Sequence, residues 1–294
     1  MRVRQLEVFT AVMRAGTVTG AARLLNISQP ALSQILIHAE DELGFALFDR
    51  EKGRLRPTPE ARELYPEAER LFAGLEGMRR KTSDLRLGRA GLVRVAASPP
   101  PAMALLPQAL ASFRAQHPDI ILRTHVAPIA SMVALLRAGD AALALALDDN
   151  LPPDIGVERL AATAFCCLLP EDHPRAATAS LSFADLLDEA VISYRNLTRP
   201  HEELEAAARA QGAGFRPDIE IDSSIAAVGF VQAGLGIAVV DALLPWKQYP
   251  GICMTALAGS PRVPLSLLTL KDKALSRAEE ILRGHIRTSC ADLA

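Results

Sequence analysis

The stretch NISQPALSQI, residues 26–35, decides how the first part of this 294-residue chain is read. It holds two Ser-Gln pairs, Ser28-Gln29 and Ser33-Gln34, around Pro30. Such side chains build poor cores but bond well to surfaces that present donors and acceptors. Ser28 fits a helix N-cap, with its hydroxyl open to an amide of the first turn. Pro30 falls in that turn, where a missing N–H costs nothing. The spacing predicts a helix running to about Glu42 and ending before Gly44. At about 100° per residue, Leu32, Ile35, Leu36, Ala39 and Leu43 gather on one side. Pro30, Ser33, Gln34, Ile37 and His38 gather on the other, with Gln29 at the tip.

Working outward, Leu6, Phe9, Val12 and Met13 recur at helical spacing over about 3–15, and Gly16 stops that helix. Thr17 or Thr19 can cap a short second helix carrying Ala21, Ala22, Leu24 and Leu25. Asn26-Ile27 makes the turn into the third. Two short helices joined by a tight turn, the second exposing Gln and Ser near its start, form a helix-turn-helix. Gln bonds adenine bidentately, Ser serves base or phosphate, and Ile37 suits a thymine methyl. GFALFDREKGRLRPT, residues 44–58, follows. Leu47 and Phe48 are apolar anchors, and Arg50, Lys52, Arg54 and Arg56 surround Gly53. That is a basic hairpin suited to phosphate or minor-groove contact.

With these residues in place, LEVFTAVMRAGTVTGAARLLNISQPALSQ…DELGFALFDR…GRLRPTPEA resembles the N-terminal domain of the LysR-type transcriptional regulators, without a gap from Leu6 to Ala61. The resemblance implies a winged helix-turn-helix that binds double-stranded DNA, a long dimerising linker helix and a C-terminal effector-sensing domain. It places Gln29, Pro30 and Ser33 at the DNA-facing end of the recognition helix. Thr17, Ser28, Gln34, Ile37, Arg50 and Arg54 complete the candidate DNA-binding set. Gln34 stands where many members carry arginine. Arg62 stands where glycine usually follows Ala61, as in the subgroup that includes lysine- and opine-responsive regulators.

Residues 1–57 are thus expected to be the DNA-binding domain and 58–90 the linker. Thr58 can cap the linker helix with Pro59 at its first position. Leu64, Ala68, Leu71, Leu75, Met78, Thr82 and Leu85 step by four and three, a heptad seam. Some 28 residues make a helix about 42 Å long, too long for a 57-residue domain to cover, so a second copy is its expected partner. Pro66 is expected to kink the helix start. Gly88 and Gly91 mark its end.

The body, 91–294, alternates strand candidates (LVRVAA, ILRTHV, AALALAL, FCCLL, AVISY, PDIEI, GIAVV, PLSLLTL) with helices. This predicts a parallel α/β sheet with helices on both faces. The family resemblance implies two lobes similar to type 2 periplasmic binding proteins, the first about 91–161 plus 263–294 and the second 162–262. Ligands in such sheets bind beyond strand carboxyl ends. Effector-binding candidates are therefore Ser98 with the amides of Ala102 and Met103, Ser131, Asp148, Tyr194, Arg195, Thr198 and Asp241. Hydroxyls at helix starts plus Arg195 suit a carboxylate, and Asp148 or Asp241 an amine. An amino-acid-like or organic-acid effector is expected.

Net charge is −2, but residues 1–90 hold 15 Lys and Arg against 12 Asp and Glu, whereas 91–294 hold 17 against 22. A basic front end on an acidic body fits an anionic partner for the front end alone. The first fifteen residues lack an apolar signal core, and the uncharged run Ser223–Val240 is broken by three glycines. A cytoplasmic protein without a membrane span is expected. Cys166, Cys167, Cys253 and Cys290 read as reduced core thiols. No phosphate-binding loop, nucleophile elbow, paired-cysteine or metal-spaced histidine motif occurs, so neither catalysis, cofactor nor metal is expected. The competing reading is a solute-binding protein or α/β enzyme whose N-terminal helices are structural. It leaves the outward Gln/Ser face and the basic hairpin without a purpose. The expected assembly is a dimer through the linker, pairing into a tetramer, with RNA polymerase as a further contact.

Overall fold

The computed structural model describes residues 1–51, 54–86 and 91–291. It divides into two units, Met1–Lys81 and Thr82–Ala294. Lys52, Gly53 and Gly88, with the side chains of Arg50, Arg54 and Leu85, lie outside the described part.

In the first unit, helices α1 (Val3–Ala15), α2 (Val18–Leu24) and α3 (Gln29–Leu43) pack around one core. Gly16 closes α1 in the left-handed conformation, φ 66°. Thr17, rather than Thr19, caps α2 by accepting from the Gly20 amide at 3.1 Å. Asn26 takes φ 52°, a conformation asparagine tolerates, and the chain turns there. Ser28 accepts from the Ala31 amide at 3.4 Å, and α3 begins. Leu32, Leu36 and Ala39 are buried, Leu32 and Leu36 in a cluster with Val8, Phe9, Val12, Ala21 and Ala22.

Strands β1 (Phe48–Glu51) and β2 (Arg54–Pro57) form an antiparallel hairpin in register Phe48 with Pro57. One Glu40 carboxylate oxygen accepts from the Leu47 and Phe48 amides at 2.7 and 3.1 Å, so α3 holds the hairpin's root. Helix α4 (Pro59–Arg86) follows and continues through Pro66 without a break. The Thr58 hydroxyl donates to the Ala46 and Leu47 carbonyls and accepts from the Ala61 amide at 3.2 Å. The heptad seam divides. Ala68 is buried in the winged-domain core with Leu64 packed against it. Leu71 and Met78 are 64% and 68% exposed. The winged domain, expected to be too small to cover so long a helix, covers the first turns of the seam. Their small and branched side chains fit beside Phe9 and Phe48.

The second unit starts with β3 (Leu92–Ala97), α5 (Pro99–Ala104), α6 (Leu106–Gln116), β4 (Ile121–Val126), α7 (Ile129–Ala138) and β5 (Leu143–Ala146). A 16-residue strand, β6 (Ile155–Pro170), leads to β7 (Ser180–Leu181), β8 (Val191–Tyr194), α8 (Arg199–Ala210), β9 (Ile219–Ile221), α9 (Ala226–Gln232) and β10 (Ile237–Asp241). Then come β11 (Ile252–Leu257), β12 (Arg262–Leu270) and α10 (Arg277–Cys290).

The sheet order is β4-β3-β5-β12-β6-β10-β8-β9. It is mixed, and the all-parallel expectation is corrected. β3 pairs β4 and β5 in parallel, as β8 pairs β9 and β10, but β6 and β12 run antiparallel to their neighbours. The first part of β6 pairs with β12, the second with β10 and β11, so one strand serves both lobes. The polar start of β6 does not read as a strand because of Glu158 and Arg159. Glu158 is bonded by Arg283 at 2.9 Å and Arg287 at 2.6 Å from α10. Cys166 and Cys167 enter different core clusters, as period-2 alternation requires. Burial pushes the Cys167 thiol up to about 12 and Cys166 upward as well, so both stay protonated. Among the described residues, no helix is long and apolar enough to cross a membrane.

Thr58 joins the hairpin's root to the linker helix by three bonds in a nearly dry place. Thr58→Ala is expected to cost about 1–3 kcal/mol, read as a lower urea midpoint, with Thr58→Ser recovering most of it.

Candidate DNA-reading face and effector cleft

The rotation that buries Leu32 and Leu36 turns the other side of α3 outward. Gln29, Pro30, Gln34 and His38 are exposed, Ile37 is 45% exposed, and Ser33 is half-buried. Ser28 and Thr17 accept helix-cap bonds with their hydroxyl oxygens, which leaves each O–H, on an exposed residue, able to donate. Gln29 has a partner that sequence reasoning missed: the Thr19 hydroxyl donates to its Oε1 at 3.5 Å. From Gln29 to His38, α3 carries no Asp, Glu, Lys or Arg, and β1 and β2 carry Arg50, Arg54 and Arg56.

In the body, the carboxyl ends of β3 and β5 lie side by side, the Ser98 amide bonding the Leu145 carbonyl at 2.8 Å. The Ser98 Oγ is buried without a hydrogen-bond partner among the described residues. The Ala102 amide is not free as expected: it closes the helix on the Ser98 carbonyl at 3.0 Å. Ser131 does not stand at the helix junction. Pro128 takes that position, and Ser131 is exposed in the first turn of α7. The Asp148 carboxylate accepts from the Asn150 amide at 2.9 Å, and burial raises its pKa.

From the second lobe, Thr198 caps α8 by accepting from the His201 amide and donates to the Arg195 carbonyl at 2.9 Å. Arg195 pairs with Asp222 at 2.8 Å on the surface, its side chain 56% exposed. Between them Leu197 has φ 66° and is 94% exposed. Tyr194 and Asp241 are not presented to a ligand. Tyr194 donates to Asp241 Oδ2 at 2.6 Å and accepts from the Asp241 amide, while the Leu243 amide donates to Oδ1 at 3.1 Å. Asp241 is fully buried, and the Trp246 indole donates to its carbonyl. The internal partners already fill the sites that an amine was expected to use.

A different pair links the lobes. Asp149, its side chain 7% exposed, pairs with Arg159 on β6 and lies 3.5 Å from Arg199 at the start of α8. Arg199 in turn meets Glu203 at 2.7 Å. Sequence reading missed both because Arg199 and Glu203, four apart, look like an ordinary helix-surface pair. Where the long strands cross, a cavity of about 180 Å³ is lined by Ala161, Thr163, Leu243, Arg262 and Leu265, among others. That is smaller than the roughly 300–1,000 Å³ of common ligand pockets. No group of three or more His, Cys, Asp or Glu that could hold a metal occurs among the described residues.

Residues 3–62 match the bacterial regulatory helix-turn-helix model of the lysR family, and residues 86–291 the LysR substrate binding domain. The chain belongs to the LysR family. The transcriptional activator protein LysR of Escherichia coli (strain K12) is 33% identical over 297 residues, covering 100% of this chain and 94% of that protein. The regulatory protein NocR of Agrobacterium fabrum is 30% identical over 238 residues, 81% of this chain and 79% of NocR. The crystal structure of full-length CbnR complexed with its target DNA superposes with TM-score 0.69 at 22% identity, over 98% of this chain and 100% of CbnR. Membership makes this LysR-family chain a DNA-binding transcriptional regulator with an effector-binding domain, not an enzyme.

Burial holds the Asp241 carboxyl above its ordinary value of 3.8. The folded state then binds more protons than the unfolded state in the window above that value, and stability falls as pH rises through it. The unfolding free energy of the wild type relative to Asp241→Asn is expected to increase as pH drops from 7 to 4 in urea titrations. A difference independent of pH would count against the burial of this acid.

Proposed function

We propose that the LysR-family chain works as a homodimer, pairing into a tetramer, in which two copies of α3 read dyad-symmetric duplex DNA and an amino-acid-like effector resets their spacing. The observation that carries the reading is the division of α3. Its apolar side is buried, while a capped, neutral row of Gln29, Ser33 and Gln34 faces outward. Neutral amides and hydroxyls read base edges in the major groove; the basic hairpin, with Arg50 and Arg54, supplies affinity through phosphates. The exposed Leu71 of α4 supports pairing through the linker helix, since an apolar heptad position gains when a second helix covers it.

The effector cleft is read between the strand ends that carry Ser98 and Asp148 on one lobe and Arg195, Leu197 and Thr198 on the other. A buried hydroxyl without a partner, a half-buried carboxylate and nearby guanidinium groups suit a ligand with both a carboxylate and an amine. Effector binding then shifts a two-state equilibrium between assemblies, altering DNA bending and access of RNA polymerase. The site of action is the cytoplasm, where duplex DNA and small metabolites meet.

A gel shift on the DNA upstream of its own gene and of the divergent neighbour tests the reading directly. A low-salt complex with a dyad-symmetric footprint is expected, and no shift at low salt sinks the proposal. In the same assay Gln29→Ala should relax base preference at a cost of about 1–3 kcal/mol on the preferred site. Arg54→Ala should weaken all sequences alike and reduce the salt slope by about 1.

For the effector, thermal shifts of the full-length protein with amino acids, opines and small carboxylates are expected to rise for compounds carrying both charges. Ser98→Ala should blunt that rise. No response from any zwitterionic compound would remove that class from the reading.

A further inference from the structure

We propose that Thr19 is the positioning residue for Gln29: it holds the amide oxygen, so that duplex DNA meets the amide NH2. The inference rests on the reading that Gln29 faces base edges. Four observations lead to it. Thr17 caps α2, which leaves the Thr19 hydroxyl without a helical duty. The positive φ of Asn26 and the bond from the Ile27 amide to the Ala22 carbonyl fold the start of α3 back beside α2. The Ser28 hydroxyl oxygen accepts from the Ala31 amide, and among the described residues Ser28 makes no bond to Gln29. Thr19 Oγ1 then donates to Gln29 Oε1 at 3.5 Å, a bond between side chains ten residues apart that spans the two helices.

At 3.5 Å this is a long hydroxyl bond, so it acts as a restraint on the rotamer rather than as a source of stability. Its consequence is chemical. An unrestrained glutamine reads adenine with its oxygen and its NH2 together. With the oxygen directed to Thr19, the two N–H groups remain outward, and they require acceptors. In the major groove these are guanine O6 and N7, thymine O4 and adenine N7, but the N6–H2 donor beside adenine N7 then lacks the amide oxygen as its acceptor, so guanine and thymine suit the NH2 better. Thr19 touches no base in this scheme and acts only through Gln29.

The test is selection from a random duplex library with the full-length protein, comparing wild type, Thr19→Val, Thr19→Ser and Gln29→Ala. Wild type is expected to select guanine or thymine at one position of each half-site, and Gln29→Ala to lose that choice. Thr19→Val should lower it by about three- to tenfold, the worth of one neutral hydrogen bond, and admit adenine there. Binding to unrelated DNA and the salt slope should not change, and Thr19→Ser should retain the preference. Thr19→Ala repeats the measurement without β-branched bulk. If Gln29→Ala relaxes the choice and neither Thr19→Val nor Thr19→Ala does, the positioning role is wrong. Uniform weakening on all sequences would make Thr19 a phosphate contact instead. Wild-type selection of adenine would overturn the stated amide orientation. An unchanged preference in Gln29→Ala would remove the reading of Gln29 itself, a different failure.

Discussion

The rotation of α3 about its own axis is the constraint on which the DNA-reading half depends. Two terms act on it. Burying Leu32 and Leu36 against Phe9 and Val12 is worth about 1.5–3 kcal/mol for each leucine, whereas the Ser28 cap is worth about 1. Burial therefore sets the rotation, and the cap sets where the helix begins. The same rotation aims Glu40 at the amides of Leu47 and Phe48, so the basic hairpin inherits its placement from the helix core. A register change of one residue turns the helix by about 100° and brings Gln34 or Ser33 toward the core, where a lost hydrogen bond is costly.

The body depends on a different continuity. β6 crosses from one lobe to the other without a break, and β12 runs beside its first part. The alanines at the crossing, Ala161, Ala162 and Ala164, keep the strands thin there. The Asp149–Arg199 pair adds an ionic contact between the loop after β5 and the start of α8 on the opposite lobe. A carboxylate this buried is stable only while its guanidinium partners remain, since removing one leaves a charge in a dry place. Any relative movement of the lobes must carry this pair along or break it.

Much of the winged domain was legible because its determinants are local. Gly16, Asn26, Ser28 and Gly44 are turn and cap signals, and the apolar spacing of α3 separates its two faces within one window. The body was less legible. Its strands with continuous apolar runs, such as those around Cys167 and Val239, stood out. The starts of β6 and β11 did not, because Glu158 and the mixed residues of ICMTAL acquire strand character from partners distant in the chain.

The candidate effector residues show the same limit. Ser98 and Asp148 end adjacent strands, as alternation suggested, and the structure leaves a hydroxyl without a partner there. Tyr194 and Asp241, equally plausible from their positions, turn toward one another in the core. By itself, then, the sequence determined the helix-turn-helix, the outward Gln/Ser row, the basic hairpin and the α/β character of the body. All of these follow from residues within a turn or two of each other. Only the tertiary structure decided that the sheet is mixed, that Thr19 meets Gln29, that Asp241 is internal and that Asp149 reaches Arg199. Each of those depends on which groups are brought together across a long loop, where burial and complementary charge choose among partners that local pattern leaves equivalent.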